Sequence, residues 1–221
     1  MMIRRALTIS LTAVIALLST QALSRALYDN PGQRAYDQMV SHKTTIEETP
    51  YVTVAAHRVG QLALTVTNQG TFGTGFAASA TCGGEACPSA EFPINSNVDY
   101  LFAGAFWVGA VVGRDTLVSN GADGWSSVQE MWPASQEQQK ANFGDELMKI
   151  RSISDPDDPE FALALSEQDI TCVYFDTLTE GVQTDGFENR PHIPLGMKIR
   201  QSSYAWSYSY AEDFVLFDYK I

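Results

Sequence analysis

The clearest alternation of apolar and polar positions lies between Asp169 and Leu178, where Ile170, Cys172 and Tyr174 interleave with Thr171, Val173 and Phe175. Successive side chains of a strand point to opposite faces, so a period of two predicts a strand here. Arg58 to Asn68 repeats the pattern, with Leu62, Leu64 and Val66 on one face and Gln61, Thr65 and Thr67 on the other. It predicts a half-buried strand that ends in a turn at Asn68-Gln-Gly70. Leu195 to Ser203 sets Leu195, Met197 and Ile199 against Lys198 and Arg200, and near the end Val215, Phe217, Tyr219 and Ile221 share a face. Val98–Phe102 and Gly104–Val112 add strands, with Gly113-Arg-Asp115 as a hairpin turn into Thr116–Ser119. Val52–Val54 begins the first strand, and another runs from Trp125 to Trp132 before Pro133 stops it.

The stretches between are turns and loops: a Gly-rich loop from Gly70 to Gly84, a second from Phe92 to Asn97, and a polar connection from Thr179 to Pro194. Residues 134–165 are dominated by Gln, Glu, Lys and Asp, and Asp155-Pro-Asp-Asp-Pro159 excludes a regular element. They read as a long polar insertion, with a short helix expected from Gln136 to Met148. About seven to nine strands without a βαβ rhythm predict an all-β fold, an antiparallel β-sandwich over residues 51–221. The last strand reaches Ile221 at full hydrophobic amplitude, so the domain is expected to be truncated there, with further domains downstream.

The amino end has a different character. Arg4 and Arg5 precede an apolar run from Ala6 to Leu18, and Ala22-Leu23-Ser24 supplies small residues before Arg25. This order is that of a secretory signal peptide over residues 1–24. The run is shorter than the roughly 20 residues a spanning helix needs, and no later stretch is long enough, so no membrane insertion of the mature chain is expected. Residues 25–50 are polar and mixed, a leader or extended arm. The mature chain is expected to be secreted or at the cell surface.

The chain of 221 residues has a net charge of −12. Without Arg4 and Arg5, 12 basic against 26 acidic residues leave −14. Such a surface repels phosphate backbones and anionic lipid, which argues against nucleic acid as a partner. Solubility is the ordinary reading of that charge, and binding of a divalent cation is the specific one.

Of three cysteines, Cys82 and Cys87 lie within Thr-Cys-Gly-Gly-Glu-Ala-Cys-Pro. In an oxidising compartment this spacing closes a small disulfide loop, and no further zinc ligands lie nearby. Cys172, in an apolar strand, reads as a buried thiol.

Candidate chemistry is sparse. Gly73-Thr-Gly75-Phe-Ala-Ala78 has the spacing of a dinucleotide fingerprint, but Ser-Ala-Thr-Cys-Gly-Gly follows and cannot start the helix that would hold a pyrophosphate. His42, His57 and His192 have no second metal ligand at helical or hairpin spacing, and no Gly-x-Ser-x-Gly elbow is present. Asp155, Asp157, Asp158 and Glu160 crowd one loop and are candidate calcium ligands, without the EF-hand spacing; Asp123 is a second acidic position to test. Repulsion between unpaired carboxylates makes a solvated loop the ordinary reading, so no cofactor is expected, with calcium as the one candidate. Tyr204-Ala-Trp206-Ser-Tyr208-Ser-Tyr210 alternates aromatic with small residues, which on a strand puts four aromatics on one face. If exposed, that row would stack on sugar rings; if buried, it fills the core or an interface, the reading the composition favours, and Trp107, Trp125 and Trp132 are read the same way.

Five stretches together resemble a known group: residues 58–73, 98–109, 120–125, 166–169 and 194–208. They begin Arg58-Val-Gly-Gln-Leu, Val98-Asp-Tyr-Leu-Phe, Asn120-Gly-Ala-Asp-Gly, Ser166-Glu-Gln-Asp and Pro194-Leu-Gly-Met-Lys. The set is similar to the N-terminal region of large secreted or cell-surface proteins of Bacteroidetes-like bacteria, many of which end in a β-rich sorting domain. The resemblance covers most of residues 57–221. It implies further domains downstream and carries no catalytic residues. The expectation is a non-enzymatic β-sandwich module, in adhesion or as a scaffold, with extracellular glycans or proteins as partners. The alternatives are a carbohydrate-binding module and the accessory domain of a secreted hydrolase.

Overall fold

The computed structural model describes residues 49–75, 81–123, 128–135, 147–179, 181–184 and 191–221. The expected signal peptide, nearly all of the arm, His42, Trp125 and most of the expected helix from Gln136 to Met148 lie outside them. The chain divides into two compact units. One comprises residues 43–110 and 117–221 and holds both sheets and the core. The other comprises residues 1–42 and 111–116, of which only the tip of a hairpin is described.

The architecture is all-β and antiparallel. In chain order, β1 (Val54–His57), β2 (Ala63–Thr67) and β3 (Thr71–Gly73) form a meander. The short hairpin of β4 (Thr81–Cys82) and β5 (Glu85–Ala86) follows, then β6 (Ser89–Glu91) and β7 (Ala103–Ala105). The first sheet runs β1-β2-β3-β7, with β6 joining β2 beside β3. A two-stranded ribbon, β8 (Trp107–Val112) and β9 (Asp115–Asn120), turns at Gly113, whose φ is +66°. The second sheet is β10 (Lys149–Arg151), β11 (Gln168–Phe175), β12 (Lys198–Ala205) and β13 (Leu216–Lys220), paired in that order.

The two sheets face each other across the core. Ala55 and Val66 of the first pack with Ile170 of the second, flanked by Phe72, Met148 and Phe217. A second cluster joins Met131, Cys172, Tyr174 and Ile199, with Phe106 stacked on Tyr219 at 4.3 Å. Polar links also cross between the sheets. Gln168 donates to Ala56 O at 3.0 Å and accepts from Arg58 N at 2.8 Å, and His57 Nε2 lies 2.7 Å from Ser203 Oγ. The cross-strand register puts Ile170, Cys172 and Tyr174 on the inner face with Ser203, Gln201 and Ile199, as the alternation predicts.

Several expectations are corrected. The strand expected from Arg58 to Asn68 starts at Ala63 and is buried on both faces. Thr65 Oγ1 donates to Pro88 O at 2.7 Å and Thr67 Oγ1 pairs with Thr71 Oγ1, so the second face is covered and satisfied internally. The stretch Gly70–Gly84 contains β3 and β4 rather than being loop throughout. Val98–Phe102 is no strand: only Asp99 makes a bridge, to Glu91, and Tyr100 and Phe102 are exposed. The polar stretch 134–165 supplies edge strand β10, whose Lys149 and Arg151 both pair with Glu160.

Candidate functional site

The aromatic run 204–210 is half strand and half turn. β12 ends at Ala205, so the expected single face of four aromatics does not form. Instead Trp206 leaves the strand stacked beside Tyr204 at 6.2 Å and tilted against Phe214 at 6.3 Å. Tyr208 and Tyr210 lie in the following turn, their rings stacked at 5.5 Å. Of the expected core or interface packing, a place in the core does not hold for the exposed rings: Tyr210 is 81% exposed, Leu216 50%, Phe214 46% and Tyr208 44%, while Tyr204 and Trp206 are half-buried. Trp107 is likewise 58% exposed, with its indole N–H on Ala122 O. Trp132 is half-buried and donates to Gln129 O.

The turn that carries these rings is braced on both sides. Ser207 N and Oγ both donate to the Glu167 carboxylate, the latter at 2.8 and 2.9 Å. Gln61 N donates to Glu212 O at 2.7 Å, Ala211 N closes the turn on Tyr208 O, and Ala211 itself is buried. Gly60 lies underneath with φ +82°, where an added Cβ would sit 2.6 Å from both Trp206 O and Glu212 O. A surface of this kind is preorganised: the turn that carries its rings is hydrogen-bonded to Glu167 and Gln61.

Beyond Tyr204 the same outer face of β12 carries Ser202, Arg200 and Lys198. The cross-strand partners on β13 are Leu216 opposite Tyr204, Asp218 opposite Ser202 and Lys220 opposite Arg200. The ammonium of Lys198 lies over the Phe175 ring, 5.5 Å from its centre.

The other candidates are arranged differently. In the loop of Asp155, Asp157, Asp158 and Glu160, Asp155 Oδ1 accepts from Asp157 N and Asp158 Oδ1 from Glu160 N. The Lys149 hydrogen bond, with Arg151, holds the Glu160 carboxyl below its usual range, so that ligand is engaged by two cations. Among the described residues no three His, Cys, Asp or Glu side chains are grouped to hold a metal ion. Asp123 accepts from Val128 N. The Cys82–Cys87 disulfide is formed, with sulfurs 2.11 Å apart. Cys172 is buried, and burial pushes its thiol up to about 12.

Two arrangements carry no sequence signature. A polar cavity of about 360 Å³ is lined by Arg58, Glu85, Glu91, Asn95, Asn97 and Asp99. Its polar groups largely satisfy one another: Arg58 pairs with Glu85 at 3.4 Å, Glu91 accepts from Asn97 N, and Asp99 from Ser89 N. The second is a buried polar network. Asp176 accepts from Ser119 Oγ, Leu195 N and Met197 N, and its carbonyl lies 2.7 Å from His192 Nε2. His192 Nδ1 lies 3.0 Å from Glu130 Oε1, and Glu130 Oε2 accepts from Asn120. Burial disfavours the charged ring, but the Glu130 carboxylate and Asp176 outweigh it and raise the His192 pKa. Both ring nitrogens are occupied, so this histidine ties residues 191–197 down.

Among the described residues no helix is long and apolar enough to cross a membrane. No protein-family model, curated protein or solved structure matches the chain.

Proposed function

We propose that the chain is an exported, non-catalytic β-sandwich module that holds polysaccharide on the aromatic surface around Trp206, serving in adhesion or as a scaffold within a larger surface protein. The carrying observation is that Tyr208, Tyr210 and Phe214 are exposed, with half-buried Trp206 packed beside Phe214, on a turn braced by Glu167, Gln61 and Gly60. Contiguous exposed apolar surface on a polar chain marks an interaction site, and flat rings with a polar edge suit the faces of sugars. The amino-terminal pattern and the Cys82–Cys87 disulfide support export. The resemblance read from the sequence over most of residues 57–221 is consistent with it.

The nucleophile candidates support a non-catalytic role. His57 and Ser203, the His–Ser pair among the described residues, are sealed from solvent. Cys172 is buried with a raised pKa.

The test is retention of the purified chain on a panel of insoluble plant and microbial polysaccharides. Wild type is expected to be retained by at least one, and Trp206→Ala and Tyr210→Ala are expected to lose at least about tenfold in affinity. Tyr210→Ala should leave stability within about 0.5 kcal/mol, as for other exposed positions. Equal retention of both variants would exclude the aromatic surface.

A further inference from the structure

We infer that the outer face of β12 and β13 extends the aromatic surface into a carboxylate-binding strip, so that the glycan held there is an acidic one built of uronic-acid rings. This rests on the glycan-binding reading above and adds the charge of its ligand. Arg200 lies directly opposite Lys220, both exposed, with exposed Lys198 two positions before Arg200 on the same face. Directly opposed side chains on antiparallel strands are about 5 Å apart at Cβ, and like charges in that position repel. Among the described residues neither Arg200 nor Lys220 forms an ion pair. In a chain of net charge −12 these two opposed cations have no ion-pair partner among the described residues. An anion seated between them converts the repulsion into two attractions. The planar guanidinium of Arg200 suits a carboxylate, which it can grip through two parallel N–H bonds.

The strip has a direction. From Lys198 and Arg200 it passes Ser202 and Asp218, then Tyr204 and Leu216, and reaches Trp206 and Phe214. At about 3.4 Å per residue, Arg200 and Tyr204 lie roughly 14 Å apart along the strand. A linear oligosaccharide would therefore meet cations with one ring and aromatics with another, with the Ser202 hydroxyl and Asp218 carboxylate between them for sugar hydroxyls. A nucleic acid fits poorly: a duplex carries a charge about every 1.7 Å and would be repelled by the rest of the chain. A uronate chain carries one charge per ring.

The test is calorimetric titration of the full chain with hexagalacturonate, cellohexaose and a sulfated hexasaccharide. Hexagalacturonate is expected to bind at least about tenfold tighter than cellohexaose, with affinity falling as salt is raised. Arg200→Gln and Lys220→Gln should each lose about five- to tenfold for hexagalacturonate and leave cellohexaose unchanged. Lys220→Glu should abolish hexagalacturonate binding while raising the melting temperature, because an opposed Arg200–Glu pair replaces a repulsion; a misfolded variant would melt lower. Equal affinity for the neutral and acidic hexamers, unmoved by Arg200→Gln, would overturn the inference and leave the glycan reading standing. Tighter binding of the sulfated hexamer would overturn the assignment to carboxylate. If no polysaccharide retains the wild-type chain, both readings fall.

Discussion

His57 is a neutral imidazole sealed in the core of the sandwich. Burial pulls its pKa down to about 4, although Gln168 favours the charged ring, and its Nδ1 has no hydrogen-bond partner. The unfolded chain holds the proton up to about pH 6.5, so between pH 4 and 6.5 the unfolded state binds more protons than the folded one. Stability is therefore complete above about pH 6.5 and falls as the pH drops toward 4, by about 3 kcal/mol over the window. Denaturant midpoints measured across this range should show that slope, and His57→Gln should flatten it. A slope unchanged in His57→Gln would assign the acid sensitivity to other groups. His192 acts in the opposite sense: its raised pKa gives a contribution complete below about pH 6.5 and lost as the pH rises through the folded value. The exposed aromatics Tyr208 and Tyr210 belong to a third class, in which the side chain does little for the fold.

At the scale of elements, the turn from Trp206 to Asp213 depends on a residue far from it in sequence. Gly60 has φ +82° and carries the turn's backbone oxygens where a Cβ would sit. Gly60→Ala combines left-handed strain with that overlap, so it should destabilise by about 2–3 kcal/mol and weaken glycan retention together. Unfolding curves and retention of the same variant check this; an unperturbed Gly60→Ala chain would mean that the turn is free to shift.

The sequence makes some elements legible and hides others. β12 reads correctly because one face meets the core and the other does not, so period two survives, whereas on β11 Asp169 and Val173 of the second face are buried as well. β2 reads as half-buried because Thr65 and Thr67 are polar, yet both hydroxyls are satisfied by hydrogen bonds inside the fold. β10 is invisible because a three-residue edge strand of Lys149, Ile150 and Arg151 within a stretch of charged residues looks like polar insertion. The aromatic run misleads in the other direction. Aromatic and small residues alternate through Tyr210, but Ser207 bonded to Glu167 ends the strand's path, and local spacing carries no trace of that long-range bond. The candidate residues Tyr204, Trp206, Tyr208 and Tyr210 were thus legible as types, and their outward placement was not. The Arg200–Lys220 opposition needs the register of two strands and has no local signature.

At the scale of the molecule, the unit that holds the sheets is a two-layer antiparallel sandwich with its core between the layers. The interior polar groups, His57 with Ser203 and Asp176 with Ser119, are structural: they are buried and bonded to neighbouring elements. The function proposed above rests on the strip from Lys198 to Phe214. Its most direct test is amide chemical-shift mapping of the labelled chain titrated with hexagalacturonate. Shifts concentrated at residues 198–214 and 216–220 are the expected result. Shifts that cluster instead around the Arg58, Glu91 and Asp99 cavity, or none at saturating sugar, would contradict it.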